Sequence, residues 1–130
     1  MADQTLTPEE IDFLNSVFDL ARDNKPIALK SLIDQGVPVD LTDSKGDTLL
    51  ILATYHENRE VVEMLLEAGA NINALNNRGQ TPLLCAVFRN NAELTQLLLQ
   101  AGADTTLGHQ SPLEVARFFQ LPEMEKLLTA

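Results

Sequence analysis

Tryptophan is missing from this chain, and tyrosine and cysteine each occur once among its 130 residues. The lone cysteine, Cys85, excludes an internal disulfide and a zinc site built from several thiolates. Set inside the apolar run PLLCAV, it reads as a buried, reduced thiol rather than a nucleophile. Of the two histidines, His109 has no metal-type ligand one helical turn away, and His56 has only Glu60 four residues on, too few groups for a metal site. The sequence has no G-x-S-x-G, no phosphate-cradling glycine loop and no H-E-x-x-H. Without convergent groups, no catalysis, metal or cofactor is expected.

Basic residues are scarce as well: nine Lys and Arg stand against nineteen Asp and Glu, for a formal charge of −10. They form no cluster and do not interleave with aromatics, which argues against nucleic acid. A surface this negative also repels anionic membranes. No apolar run approaches the roughly 20 residues that span a bilayer. The opening MADQTLTPEE has no basic region, apolar region or cleavage site of a secretory signal. A soluble, cytoplasmic protein is the expectation. The charge is uneven: residues 1–67 carry fourteen acidic and five basic side chains, net −9, whereas residues 68–130 carry five and four, net −1. That asymmetry suits either plain solubility or a protein partner with a basic patch.

What the chain does have is a hydrophobic content of 45%, enough for one globular domain. A domain of this length buries about two-thirds of its unfolded surface. It also has a ruler. SLIDQGVPVD, MLLEAGANIN and LLLQAGADTT align with Gly36, Gly69 and Gly102 spaced by 33 residues. DTLLILA, QTPLLCA and QSPLEVA align too, with Thr48 to Thr81 again 33 and Thr81 to Ser111 only 30. Thr81 and Ser111 are helix-start residues, and Pro82 and Pro112 follow where a missing N–H costs nothing. The three glycines stand where helices stop in a left-handed residue. DSKG and NNRG are turn formers. Each unit therefore reads as short helix, tight turn, longer helix, glycine stop and extended finger. Asn58, and Asn90 or Asn91 a unit later, fit as caps of the second helices.

GQTPLLCAVFRNNAELTQLLLQAGAD (79–104) resembles an ankyrin repeat, with its G-x-T-P-L opening, central alanine and L-L-x-x-G-A-D close. GDTLLILATYHENREVVEMLLEAGANIN (46–73) is similar, with Leu49 in place of the proline. The resemblance implies an all-α solenoid of about four helix-turn-helix units joined by short β-hairpin-like fingers. Units fall at about 7–40, 41–73, 74–106 and 107–130, the outer two degenerate as polar caps, after a loose arm at 1–6. Two departures stand out. The glycine usual at the inter-helix turn is replaced by Asn24, Glu57, Asn90 and Gln120, and the last finger is shortened, so its tip is expected to project less. In the first helix, TPEE sets a capping box, and Ile11, Leu14, Phe18 and Ala21 recur at helical spacing, giving a first helix longer than its counterparts. In the last, Met124, Leu127 and Leu128 are expected to face the stack.

In the resembled fold, the end of each first helix opens onto a concave face. Two and three residues past the central alanines stand Tyr55 and His56, Phe88 and Arg89, and Phe118 and Phe119, with Arg22 and Asp23 in the first unit. Four of the six aromatics thus fall on this face. Tyr55, Phe88 and Phe118 read as a ladder of partner anchors with Arg89 as a polar contact, and one of Phe118 and Phe119 is expected to turn inward. Ser44, Lys45 and Asp47 on one finger and Asn77, Arg78 and Gln80 on the next read as its polar rim. The expected function is to clasp one protein partner, as a monomer, as inhibitor, regulatory subunit or adaptor. The alternative is a passive scaffold or oligomerisation domain.

Overall fold

The computed structural model describes residues 5–130; the expected arm falls mostly on residues 1–4, outside them. Eight helices follow one another in the described residues: α1 Pro8–Arg22, α2 Pro26–Asp34, α3 Leu49–Tyr55, α4 Arg59–Glu67, α5 Pro82–Phe88, α6 Ala92–Gln100, α7 Pro112–Phe118 and α8 Pro122–Thr129. Their starts are chemically determined. The Thr48 and Thr81 hydroxyls accept the N–H of Ile51 and Leu84, and capping boxes open α1 at Thr7 and Glu10 and α7 at Ser111 and Glu114.

The pairs stack side by side. α1, α3, α5 and α7 form one row, each touching the next, and α2, α4, α6 and α8 pack behind their own partners. Between the rows runs one apolar core that includes Val17, Leu29, Leu49, Leu65, Leu83, Leu98, Ala116 and Met124. Leu127 and Leu128 pack half-buried against it. α1 is the longest helix at 15 residues, as its apolar spacing implies, and Ile11 in its first turn is exposed. By the 33-residue spacing, Leu49 at the start of α3 corresponds to Ser16, so the first two turns of α1 have no counterpart beside them. Val17, which the spacing argument passed over, takes the buried place.

Seven helices end in a left-handed residue, six of them with the same pair of closing hydrogen bonds. At α4, the Gly69 N–H donates to the Leu66 carbonyl and the Ala70 N–H to that of Leu65, with Gly69 at φ 90°. This is the Schellman closure, which satisfies the last carbonyls of a helix. Gly36 and Gly102 repeat it. The four inter-helix turns have the same left-handed backbone without glycine: Asn24, Glu57, Asn90 and Gln120 stand at φ 56°, 61°, 55° and 55°. An L-residue with a Cβ costs about 1–2 kcal/mol there, less for Asn.

The fingers are minimal hairpins. The first has a single bridge, Thr42 to Thr48, and the second closes by an Asn76 N–H donated to the Gln80 carbonyl. They touch each other: the Asn77 N–H donates to the Lys45 carbonyl at 3.0 Å, and a Cβ on Gly46 would collide with Asn77. The shortened third finger joins the second through the His109 N–H and the Gly79 carbonyl, at 2.8 Å. On the opposite side the spacing recurs as chemistry. Asp40 accepts the Asn71 N–H and, one unit on, Asn73 accepts the Asp104 N–H.

Candidate protein-binding groove

The ends of α1, α3, α5 and α7 and the first two fingers enclose a groove. Within it lies a cavity of about 480 Å³ lined by Arg22, Asp43, Lys45, Asp47, Ile51, Leu52, Tyr55, His56, Arg78, Gln80, Cys85 and Phe88. The helices supply the apolar wall because each first helix stops just after its central alanine, leaving the next ring beyond the core. Tyr55 is 42% exposed and Phe88 50%.

The rings do not form the expected ladder. Phe88 meets Phe119 edge-on at 5.6 Å, and Phe119 meets Phe118 at 5.0 Å. Neither ring of the last pair turns inward: Phe118 is 78% exposed and Phe119 51%. α7 is the last of its row, so no further helix covers either face of that pair. Tyr55 instead contacts His56 edge-on and takes the Arg89 guanidinium over its face, 5.1 Å from the ring centroid. The groove holds two aromatic groups, a Tyr55–Arg89 couple and a Phe88–Phe119–Phe118 cluster.

Arg89 is also committed to Glu57. Its Nη2 donates to Glu57 Oε2 at 2.9 Å, and Asn91 Nδ2 donates to Oε1 at 3.0 Å. The Arg89 bond, then that of Asn91, hold the Glu57 carboxyl below its ordinary value of 4.5. Arg22 likewise donates to Asp19 within its own helix.

The finger residues divide. Ser44, Lys45, Asn77 and Arg78 are exposed. Asp47, expected on the rim, is a floor residue at 6% exposure: its Oδ1 accepts from Asn76 Nδ2 at 2.8 Å. Gln80 is half-buried, and its Oε1 accepts from Asn76 and Arg78. Asn77 Nδ2 donates to the Ser44 carbonyl, so it stitches finger to finger. The organiser is Asn76, which the turn signal NNRG marked only as a loop residue. Buried, it also accepts the N–H groups of Arg78 and Gln80 through Oδ1. Beneath the groove, burial pushes the Cys85 thiol up to about 12.

Residues 18–109 match the family model described as ankyrin repeats in three copies. The chain belongs to the ankyrin repeat family. It is also 41% identical over 59 residues to a protein of Pseudomonas aeruginosa named as an ankyrin repeat protein. That match covers 45% of this chain and 34% of the relative, so the chain spans about a third of that protein's length. Ankyrin repeats are in general protein–protein interaction modules and non-catalytic. Among the described residues no helix is long and apolar enough to cross a membrane.

One cap reads differently from the expectation. Asn58 stands at the start of α4, yet its amide donates backwards to the Ala21 and Arg22 carbonyls of α1, at 2.8 and 2.7 Å. The vacated cap is filled from the preceding ankyrin unit, where Asn24 Oδ1 accepts the Val61 N–H. Asn24 also donates to Glu60. Asn91, by contrast, caps its own helix at Leu94.

Proposed function

We propose that this ankyrin domain is a non-catalytic module that clasps one protein partner in its groove, as inhibitor, regulatory subunit or adaptor. The observation that carries the reading is the grouping on one face of Tyr55, Phe88, Phe118 and Phe119, large rings left more than two-fifths exposed. Exposed aromatics beside arginine are the residue types that dominate interface energetics, and a spacer has no use for them. Lys45, Arg78, Asn77 and Ser44 supply a polar rim, with Arg22, His56, Gln80 and Asp47 at the wall and floor. The free protein is monomeric and cytoplasmic in this reading. Its acidic first half draws in a partner whose surface is basic overall, an attraction that weakens with salt.

Phe88→Ala tests the reading. It is expected to weaken binding of the protein partner captured from the source cell about thirtyfold or more, with a shift of only a few degrees in melting temperature. A core phenylalanine would behave oppositely, since its truncation costs about 3–5 kcal/mol of stability. Unchanged affinity in both Phe88→Ala and Tyr55→Ala would support the passive scaffold instead.

A further inference from the structure

The cavity repeats its own chemistry. Tyr55 and Phe88 are 33 residues apart, and so are Lys45 and Arg78. All four line the same cavity. Each of the two inner units therefore contributes one ring from its helix end and one cation from its finger tip. The outer units do not: the first has Arg22 at the ring position, and the shortened third finger has Gly108 where a cation would stand.

These two finger cations differ from most basic residues of the protein. Arg22, Lys30, Arg59, Arg89 and Arg117 all pair with a carboxylate within 4 Å, whereas Lys45 and Arg78 have no such pair among the described residues. Arg78 only donates from Nε to Gln80 at 3.3 Å. The cavity does contain carboxylates, Asp43 and Asp47, but both are turned to structural work. Asp43 Oδ1 accepts the N–H groups of Lys45 and Asp47, and Asp47 is buried against Asn76. Exposed, unpaired cations therefore rim an apolar wall in a chain of net charge −10.

Resting on the groove reading above, we infer that the partner segment seated between the fingers and the ring wall is acidic, pairing Asp or Glu with apolar side chains. Lys45 and Arg78 meet the carboxylates; the exposed Tyr55 and Phe88 rings meet the apolar groups. The sign of this segment is opposite to that of the surface attracted at long range. Charge-assisted bonds to Arg78 can be bidentate and gain strength against a half-buried wall. Packed helices lie about 8–10 Å apart, which is about three residues of extended chain. The segment accordingly presents its acidic and apolar residues twice, about three positions apart.

The test is a selection from displayed random peptides about ten residues long on the full chain, run on wild type, the Lys45→Glu/Arg78→Glu double variant and Phe88→Ala. Wild-type binders are expected to be rich in Asp or Glu near Leu, Phe or Tyr. They should lose at least tenfold in affinity on each variant, and the double variant should select Lys or Arg instead. Both variants change exposed side chains, so a thermal melt close to wild type accompanies the result. Binders that need Phe88 but carry no acidic bias would overturn the acidic segment and leave the groove standing. Binders indifferent to Phe88→Ala would overturn both, and so would an unenriched library. A wild-type dimer in sedimentation that dissociates in the double variant would assign the groove to a second copy of this chain and overturn the separate partner.

Discussion

Two sets of turns in this molecule have the same backbone and different residues. At the ends of α2, α4 and α6 the left-handed position is Gly36, Gly69 or Gly102, and a Cβ placed on any of them meets nothing within 4 Å. At the ends of α1, α3, α5 and α7 the same position holds Asn24, Glu57, Asn90 or Gln120. Strain alone favours glycine at all seven. At two of these four turns the difference lies in what a side chain can reach. Asn24 caps α4 in the next unit, and Glu57 gathers Arg89 and Asn91 from the unit after its own. A turn beside a neighbouring helix start exchanges conformational ease for a bond across the repeat boundary.

The largest expected effect comes from breaking the exchange at the first boundary. Asn58→Ala deletes two hydrogen bonds to α1 carbonyls, and at about 1 kcal/mol each it should cost about 2 kcal/mol in urea unfolding. Asn24→Gly relieves little strain, because Asn tolerates this conformation, but it uncaps α4; a loss of about 1 kcal/mol is expected by the same measurement. Gln120→Gly should have the opposite sign. Among the described residues the Gln120 side chain makes no hydrogen bond that could be lost, so relief of strain prevails and stability rises by about 0.5 kcal/mol. A destabilised Gln120→Gly would break the comparison.

The smallest effect sharpens it. Glu57 has a folded pKa below its ordinary 4.5, chiefly through Arg89, so its contribution is present above that value and is lost as pH falls through the folded pKa. Between Glu57→Gln and wild type, the stability difference should therefore shrink on acidification below about pH 4.5, by a few tenths of a kcal/mol for so exposed a pair. Parallel pH profiles would detach Glu57 from the boundary.

The same contrast explains what was legible in the sequence. Helix starts at Thr48, Thr81 and Ser111 and stops at Gly36, Gly69 and Gly102 follow rules that act within a few residues, so a 33-residue ruler exposes them. The exposed ends at Tyr55 and Phe88 follow from the same spacing. What stayed hidden acts between units. Asn58 looks like the cap of its own helix until Asn24 is seen to occupy that role. Asp47 and Gln80 look like rim residues because turn composition is polar whether or not Asn76 draws it inward. That neither Phe118 nor Phe119 turns inward was hidden too, because it depends on where the neighbouring Phe88 ring lies and on α7 being the last helix of its row.

The buried thiol gives the molecule a built-in clock. With its pKa near 12, Cys85 is almost wholly protonated at neutral pH, and its 4% exposure keeps it from reagents in the closed state. Alkylation therefore requires α5 to part transiently from its neighbours, and its rate measures how often the third unit opens. Since the same residue floors the groove, an occupant held above it would slow the clock without touching the sulfur.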